Sequence, residues 1–465
     1  MTATEREAEG GWAEGPAFLD NLVRRAMTAI EERFLFRKIG LPFDYAAERD
    51  NFPSPNLATA REARSLVPNP SGLGGGYHFS CRNHALLFDA YLLRLELGIE
   101  GEGDEAILDR LIGGLIRLAT VAPRSFLVGG LSPDGRGFFA WPSRENHAAW
   151  TFAIMRGMTT AAIAQETQDK FHSIACKWLD RLRRERFILS GVDGKPVPGA
   201  GRPLSSPDPD NGPFHLAMLL AGARASGLPA DYDAYAAAAA ESGGARLSGF
   251  SGEEAAPTFF WRQASLHLMA SFDPDPGRSA KAARLLAANA ELAADRLEKW
   301  REWDPALAGV KPDLDWRHFS RAPLSEKGLG FAPPESWRRL AGEDRAAEAL
   351  YAMHALLLSG SPETIQAHAE TMAECLSQPF WPDMTQLTAI APIPGIHARG
   401  TETGLWDQDL FASKRMPPAS ETSFAAKFLD PDYDRLNADK SGHDVPSRPE
   451  AGEPGGRRKR GRKRR

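Results

Sequence analysis

Three stretches of the chain place a small polar residue four positions before a histidine that opens an apolar run. They are Ser80-Cys81-Arg82-Asn83-His84, Ser143-Arg144-Glu145-Asn146-His147 and Asn211-Gly212-Pro213-Phe214-His215. With Ser80, Ser143 and Asn211 as N-caps, each imidazole sits one turn into a helix, at the end where backbone N–H groups lack partners. The positive end of the helix dipole disfavours an imidazolium there, and the neutral ring is the form that acts as a base or binds a metal. His267 and His354 also precede apolar runs, deeper in their helices. Converging histidines could hold zinc or iron, but the chain has no HExxH and no histidine pair at i, i+4. Its three cysteines, Cys81, Cys176 and Cys375, are far apart and offer neither a CxxC site nor a disulfide framework. No metal ligand set is assigned, and no cofactor is called for.

Carboxylates and aromatic residues accompany the histidines. Glu145 falls in the first turn of its helix between Arg144 and His147, and Asp208 and Asp210 precede the third apolar run. Gly72 to Phe79 carries Tyr77 and His78 toward the first helix, and Phe138, Phe139 and Trp141 follow the Pro133-Asp134-Gly135 turn before the second. Trp261 and Arg262 open the fourth, Trp316 lies in the long connection 301–342, and Trp381 and Trp406 come last. The apolar C–H faces of a sugar stack on aromatic rings, and its hydroxyls take carboxylate, Arg, Asn and His partners. A glycoside hydrolase needs one protonated and one ionised carboxyl, and the expected catalytic group is Glu145 with Asp210 or Asp208, assisted by His147. Tyr77, Arg82, Asn83, His84, Trp141, Arg144, Asn146, His215, Trp261, Arg262, Trp316, Trp381 and Trp406 are the expected substrate-binding residues. A polysaccharide lyase or sugar epimerase would instead use an Asn or Arg to neutralise a uronate carboxylate and a His or Tyr as base. Asn83, Asn146, His84, His147, His215, Tyr77, Arg82 and Arg144 could supply those groups.

The elements that position these residues are helix pairs. Residues 82–98 are apolar on nearly every side, which implies a buried helix, whereas 104–122 show a single stripe of Ile107, Leu108, Leu111, Ile112, Leu115 and Ala119. The same alternation pairs 145–162 with 166–187, 212–226 with 230–241, 258–272 with 279–300, and 344–358 with 362–377. The last member opens on Ser361-Pro362-Glu363, a helix start with proline at its first position. A sixth pair is expected between the amphipathic segment 17–36 and a partner within 381–415. Pairs repeated at this spacing can close into a ring.

Charge divides the chain. The 465 residues carry a net −5, but eight of the 56 basic residues lie in Arg457 to Arg465, which leaves 48 against 61 acidic residues elsewhere. Like charges in a block repel and stay extended, so residues 416–465 read as a disordered tail able to touch nucleic acid or an anionic surface. Residues 1–15 read as a flexible start, with no apolar signal segment, and 16–415 as one helical domain. No run of eighteen apolar residues occurs, and the expectation is a cytoplasmic protein without a transmembrane segment.

Buried and amphipathic helices in alternation, with aromatic and acidic loops before the buried ones, resemble the six-hairpin glycosidase-like superfamily. The resemblance implies an all-α (α/α)6 toroid built from helical hairpins, with long irregular loops at one rim, acting on oligosaccharides or uronate-containing glycans. A helical-repeat scaffold that anchors to nucleic acid through its basic tail is the contrasting expectation.

Overall fold

The buried, apolar-all-round segments form helices that pack on one another, and the striped segments form helices that cover them. The computed structural model describes residues 16–36, 39–46, 61, 76–77, 80–197, 203–206, 210–241, 254–310, 312, 314, 334–407 and 410–411. Asp208, Trp316, the expected flexible start and the basic tail lie outside the described residues.

The described chain is mostly helical. It runs α1 (Pro16–Arg33), α2 (Ser80–Leu97), α3 (Asp104–Thr120), α4 (Arg144–Thr159), α5 (Gln165–Arg184), α6 (Gly212–Ser226), α7 (Pro229–Ala240), α8 (Ala256–Phe272), α9 (Pro276–Ala288), α10 (Ala290–Ala294), α11 (Pro334–Leu358), α12 (Pro362–Ala367), α13 (Ala369–Leu376) and α14 (Pro392–Glu402). Two short antiparallel hairpins interrupt it, β1 (Leu35–Phe36) with β2 (Leu41–Pro42) and β3 (Gly130–Leu131) with β4 (Phe138–Phe139). The second is turned by Ser132-Pro133-Asp134-Gly135, with Gly135 at φ 68° and its N–H donating to the Ser132 carbonyl at 2.8 Å.

The six helices α2, α4, α6, α8, α11 and α14 are buried on nearly all sides. Each packs on the next, and α14 packs back on α2; α4 also touches α8. The striped helices cover them: α3 on α2, α5 on α4 and α6, α7 on α6, α9 on α8, and α1 on α14. The expected sixth pair is therefore α1 with α14. Two expected boundaries shift. The helix anticipated from 344 begins at Pro334, and the single helix anticipated over 362–377 breaks at His368, whose φ of −109° is not helical. Residues 290–302, expected to continue the partner of α8, pack on α11 instead.

The helices α2, α4 and α14 share one direction. Near their N-terminal ends, the Cys81 thiol of α2 donates to the Asn146 carbonyl of α4, and Asn83 reaches Thr388 just before α14. At the other end Arg156 of α4 reaches Glu96 of α2. Gly395 lets α14 approach α11, since a Cβ there would stand 2.7 Å from His354 Cε1. Between these ends the carboxylate of Asp89 on α2 accepts from Arg156 Nε of α4 and from Arg399 Nη2 of α14, both at 2.9 Å. All three side chains are at least 86% buried, with exposures of 3%, 14% and 6%. Burial alone would raise the Asp89 carboxyl, but Arg399 and Arg156 hold it well below the usual carboxylate range. Removing one member of such a group leaves uncompensated buried charge. Asp89→Ala should cost about 3–5 kcal/mol of unfolding free energy, read from urea unfolding at pH 7.5; a loss under about 1 kcal/mol would show that the cluster does not join the helices.

Candidate functional site

Glu145 is fixed by its helix start. Ser143, in extended conformation, accepts the Asn146 N–H at 3.2 Å and caps α4, so Glu145 projects from the first turn, where the helix dipole favours an anion. Arg144 Nε donates to Glu145 Oε1 at 2.8 Å, and Arg144 Nη1 reaches Asn211 Oδ1 of the neighbouring helix start at 3.3 Å. Thr258 of α8 donates to the same Glu145 oxygen at 3.3 Å. Burial would raise this carboxyl, but the adjacent Arg144 and the charge of Arg82 hold it below the ordinary glutamate value.

Asp210 stands beside this group. One turn after Thr258 on α8, Arg262 donates through Nη2 to Asp210 Oδ1 at 2.8 Å and through Nε to the Asp210 carbonyl at 3.2 Å. Its Nη1 holds Glu254 Oε1 at 2.6 Å. Glu145 and Asp210 thus lie at the same end of the helices, linked by Arg144 to Asn211 and by the Thr258 to Arg262 turn. Arg262 is buried, whereas the Asp210 side chain is 68% exposed.

A further carboxylate pair lies on α11. Glu343 is fully buried against Arg339 and accepts from Thr385 N, Thr385 Oγ1 and Gln386 N at 2.9–3.1 Å. Arg339 in turn donates to the carbonyls of Leu307, Val310 and Asp383. The adjacent Asp344 keeps much of its surface open to solvent although protein surrounds it. Burial and the charge of Glu343 push its carboxyl up to about 7, against the lowering pull of Gln386 and Arg82. Arg82 of α2 therefore lies within electrostatic reach of both Glu145 and Asp344. Neither Asp344, Glu254 nor Thr258 was expected from the sequence. The signal for Asp344 was its place after Glu343 at the head of an apolar run, the pattern that had pointed to Glu145.

The histidines face elsewhere. His84 Nε2 pairs with the Leu111 carbonyl of α3 at 2.7 Å. His147 Nδ1 accepts from Trp178 Nε1 of α5 at 3.3 Å with the rings stacked, and His215 meets the edge of Phe187. His84 and His147 fill the seam between a buried helix and its cover, and His215 packs against Phe187 in the loop after α5. Of the three caps, only Ser143 accepts an N–H: Ser80 already lies within α2 with its Oγ buried and unpaired among the described residues, and the Asn211 side chain caps nothing because it receives Arg144.

Several expected sugar-stacking residues are also core. Trp261 is buried between Phe152 and Phe260, and Trp381 donates to the Cys375 carbonyl at 2.7 Å. Trp406 donates to the His397 carbonyl beyond the C-terminal part of α14, at the far end from Glu145. Trp141 packs over Gly191 in a loop after α5, and Tyr77 is buried. Arg82, Asn83, Arg144, Asn146 and Arg262 remain with Glu145 and Asp210. Asn83 is 1% exposed, and its Oδ1 meets no partner among the described residues.

Among the described residues, no group of three or more His, Cys, Asp or Glu side chains is placed to hold a metal ion, and no helix is long and apolar enough to cross a membrane. Comparison of the chain with protein-family models, curated proteins and solved structures finds no match.

The buried imidazoles make stability depend on pH. Burial lowers His84 to about 4 and His147, His267 and His354 to about 3, against about 6.5 in an unfolded chain. The folded state keeps these rings neutral while the unfolded state protonates them. Their contribution is thus complete above about pH 6.5 and is lost as pH falls toward the folded values, at about 1.4 kcal/mol per pH unit for each ring. The urea midpoint should fall steeply between pH 7 and 5; a midpoint unchanged over that interval would contradict buried neutral histidines.

Proposed function

We propose that this chain is a carbohydrate-active enzyme, a glycoside hydrolase acting on oligosaccharides, built on an (α/α)6 toroid whose site lies where the buried helices begin. The observation that carries the reading is the setting of Glu145: a carboxylate kept ionised beside two guanidinium groups, on a capped helix start, with the neighbouring helix starts supplying Asn211, Asp210, Thr258 and Arg262. Ionised carboxylates in such settings serve glycoside cleavage as base, nucleophile or stabiliser of an oxocarbenium-like transition state. The cyclic packing of six buried helices under a layer of striped ones supports the toroid.

A lyase or epimerase draws less support. It needs an imidazole or phenol at the reacting carbon, and His84 and His147 are committed to the cover helices while Tyr77 is buried. Asp210, like Glu145, is paired with a guanidinium, Arg262, and its side chain is largely exposed.

The test is a screen of saturated and unsaturated oligosaccharides for cleavage. Glu145→Gln, which keeps the shape and removes the charge, should lower kcat by about 10²–10⁴-fold with little change in thermal stability. Cleavage by the variant at the unaltered rate would exclude Glu145 from the reaction.

A further inference from the structure

We propose that a cavity at the end of the helices away from Glu145 is a second binding site, and that its ligand is a linear diamine or polyamine. The inference goes beyond the hydrolase reading and does not depend on it.

The cavity holds about 690 Å³ and lies between α1, the C-terminal end of α2, the start of α3 and the last turns of α14. That volume is usual for an organic ligand. Its apolar lining is Leu19, Val23 and Met27 of α1 together with Ile99, Trp406 and Phe411. The Trp406 ring sits where Gly400 has no side chain, since a Cβ there would overlap the indole, and its Nε1 donates to the His397 carbonyl at 3.0 Å. Phe411 stacks on Phe18 at 5.7 Å between centroids and lies 5.8 Å from Trp406. Rings held in this way can take methylene groups on their faces and an ammonium within cation–π reach.

The polar lining is a buried chain of hydrogen bonds. Arg94 Nε donates to Asp104 Oδ2 at 2.9 Å, and the Gly101 N–H donates to the same oxygen at 3.0 Å. Arg94 Nη1 donates to His397 Nδ1 at 3.4 Å. A guanidinium only donates, so the imidazole is neutral and carries its proton on Nε2, 3.4 Å from Asp20 Oδ1. Arg94, Asp104 and His397 are at most 8% exposed, so this part of the site is formed before a ligand arrives. The hydrogen bond from His397 holds the Asp20 carboxyl below the ordinary aspartate value, which keeps it an anion.

Charge decides the ligand class. The described lining includes the carboxylates of Asp20, Glu31, Glu102 and Asp104 but only the guanidiniums of Arg24 and Arg94. With His397 neutral, two negative charges are in excess. An anion would be repelled, and a single ammonium would leave half of the excess unmatched. Asp20 and Glu31 stand three helical turns apart on α1, about 16 Å along its axis, with Val23 and Met27 between them. Two anions separated by apolar side chains match two ammonium groups separated by methylenes.

Isothermal titration of the full chain with spermidine, putrescine and n-butylammonium, at constant ionic strength, tests the proposal. Spermidine should bind at one site, at least about tenfold more tightly than n-butylammonium. Asp20→Asn and Glu31→Gln should each weaken spermidine by about threefold to tenfold. Glu166→Gln, which alters an exposed carboxylate of α5 outside the cavity, should leave binding unchanged. Tyr91 donates to Glu31 at 2.8 Å, so thermal unfolding checks that variant; the Asp20 side chain is 74% exposed, and Asp20→Asn reads binding without disturbing the core. No saturable binding of spermidine or putrescine, n-butylammonium binding as tightly as spermidine, or an equal loss in Glu166→Gln would overturn the proposal. None of these results bears on cleavage of oligosaccharides.

Discussion

The carboxylate of Asp89 joins the end of the helical array to its beginning. Arg399 lies 310 residues further along the chain than Asp89, and Arg156 lies 67 residues along, yet all three meet in one buried group. Apolar burial drives helices together but is non-directional and leaves them free to slide. A charge group that loses several kcal/mol when one member is displaced fixes the height of α14 against α2 and of α2 against α4. That register aligns the helix starts, and the site reading depends on their alignment.

Charges at the two levels of the helix assembly are handled differently. In the interior, Asp89 is shared by two guanidiniums, and His267 and His354 are neutral beside them, so little net charge is buried unpaired. At the starts of α4 and α8, guanidiniums and carboxylates alternate: Arg144 with Glu145, and Arg262 between Asp210 and Glu254. The Glu343–Arg339 pair holds the carbonyls of Leu307, Ala308 and Val310 and the backbone N–H groups of Thr385 and Gln386. A rigid scaffold behind an adaptable charged face is the arrangement that positions reacting groups.

Much of the helix pattern was legible in the sequence, because burial on all sides against burial on one stripe separates inner from outer helices by composition alone. That contrast located ten of the helical segments, and the amphipathic 17–36 segment led to the pairing of α1 with α14. Direction was not legible. A histidine one turn into a helix satisfies the same spacing whether it faces Glu145 or the cover helix, and for His84 and His147 the apolar seam won. The same ambiguity applies to Trp261 and Trp381, whose rings fill core space. Glu145 and Arg144 meet at the start of α4, and Arg262 of α8 holds Asp210 just before α6. Asp344 heads the segment expected as a helix from 344, but α11 begins at Pro334, so the residue lies mid-helix.

The central claim is that the reacting end of this protein is the one where the buried helices begin. Hydrogen–deuterium exchange of the full chain with and without a cleaved or bound oligosaccharide tests it most directly. The account predicts added protection at 80–84, 143–147, 210–215 and 256–262. Protection confined to the opposite end, around Arg94, His397 and Trp406, or no change at the helix starts with the saccharide bound, would contradict it.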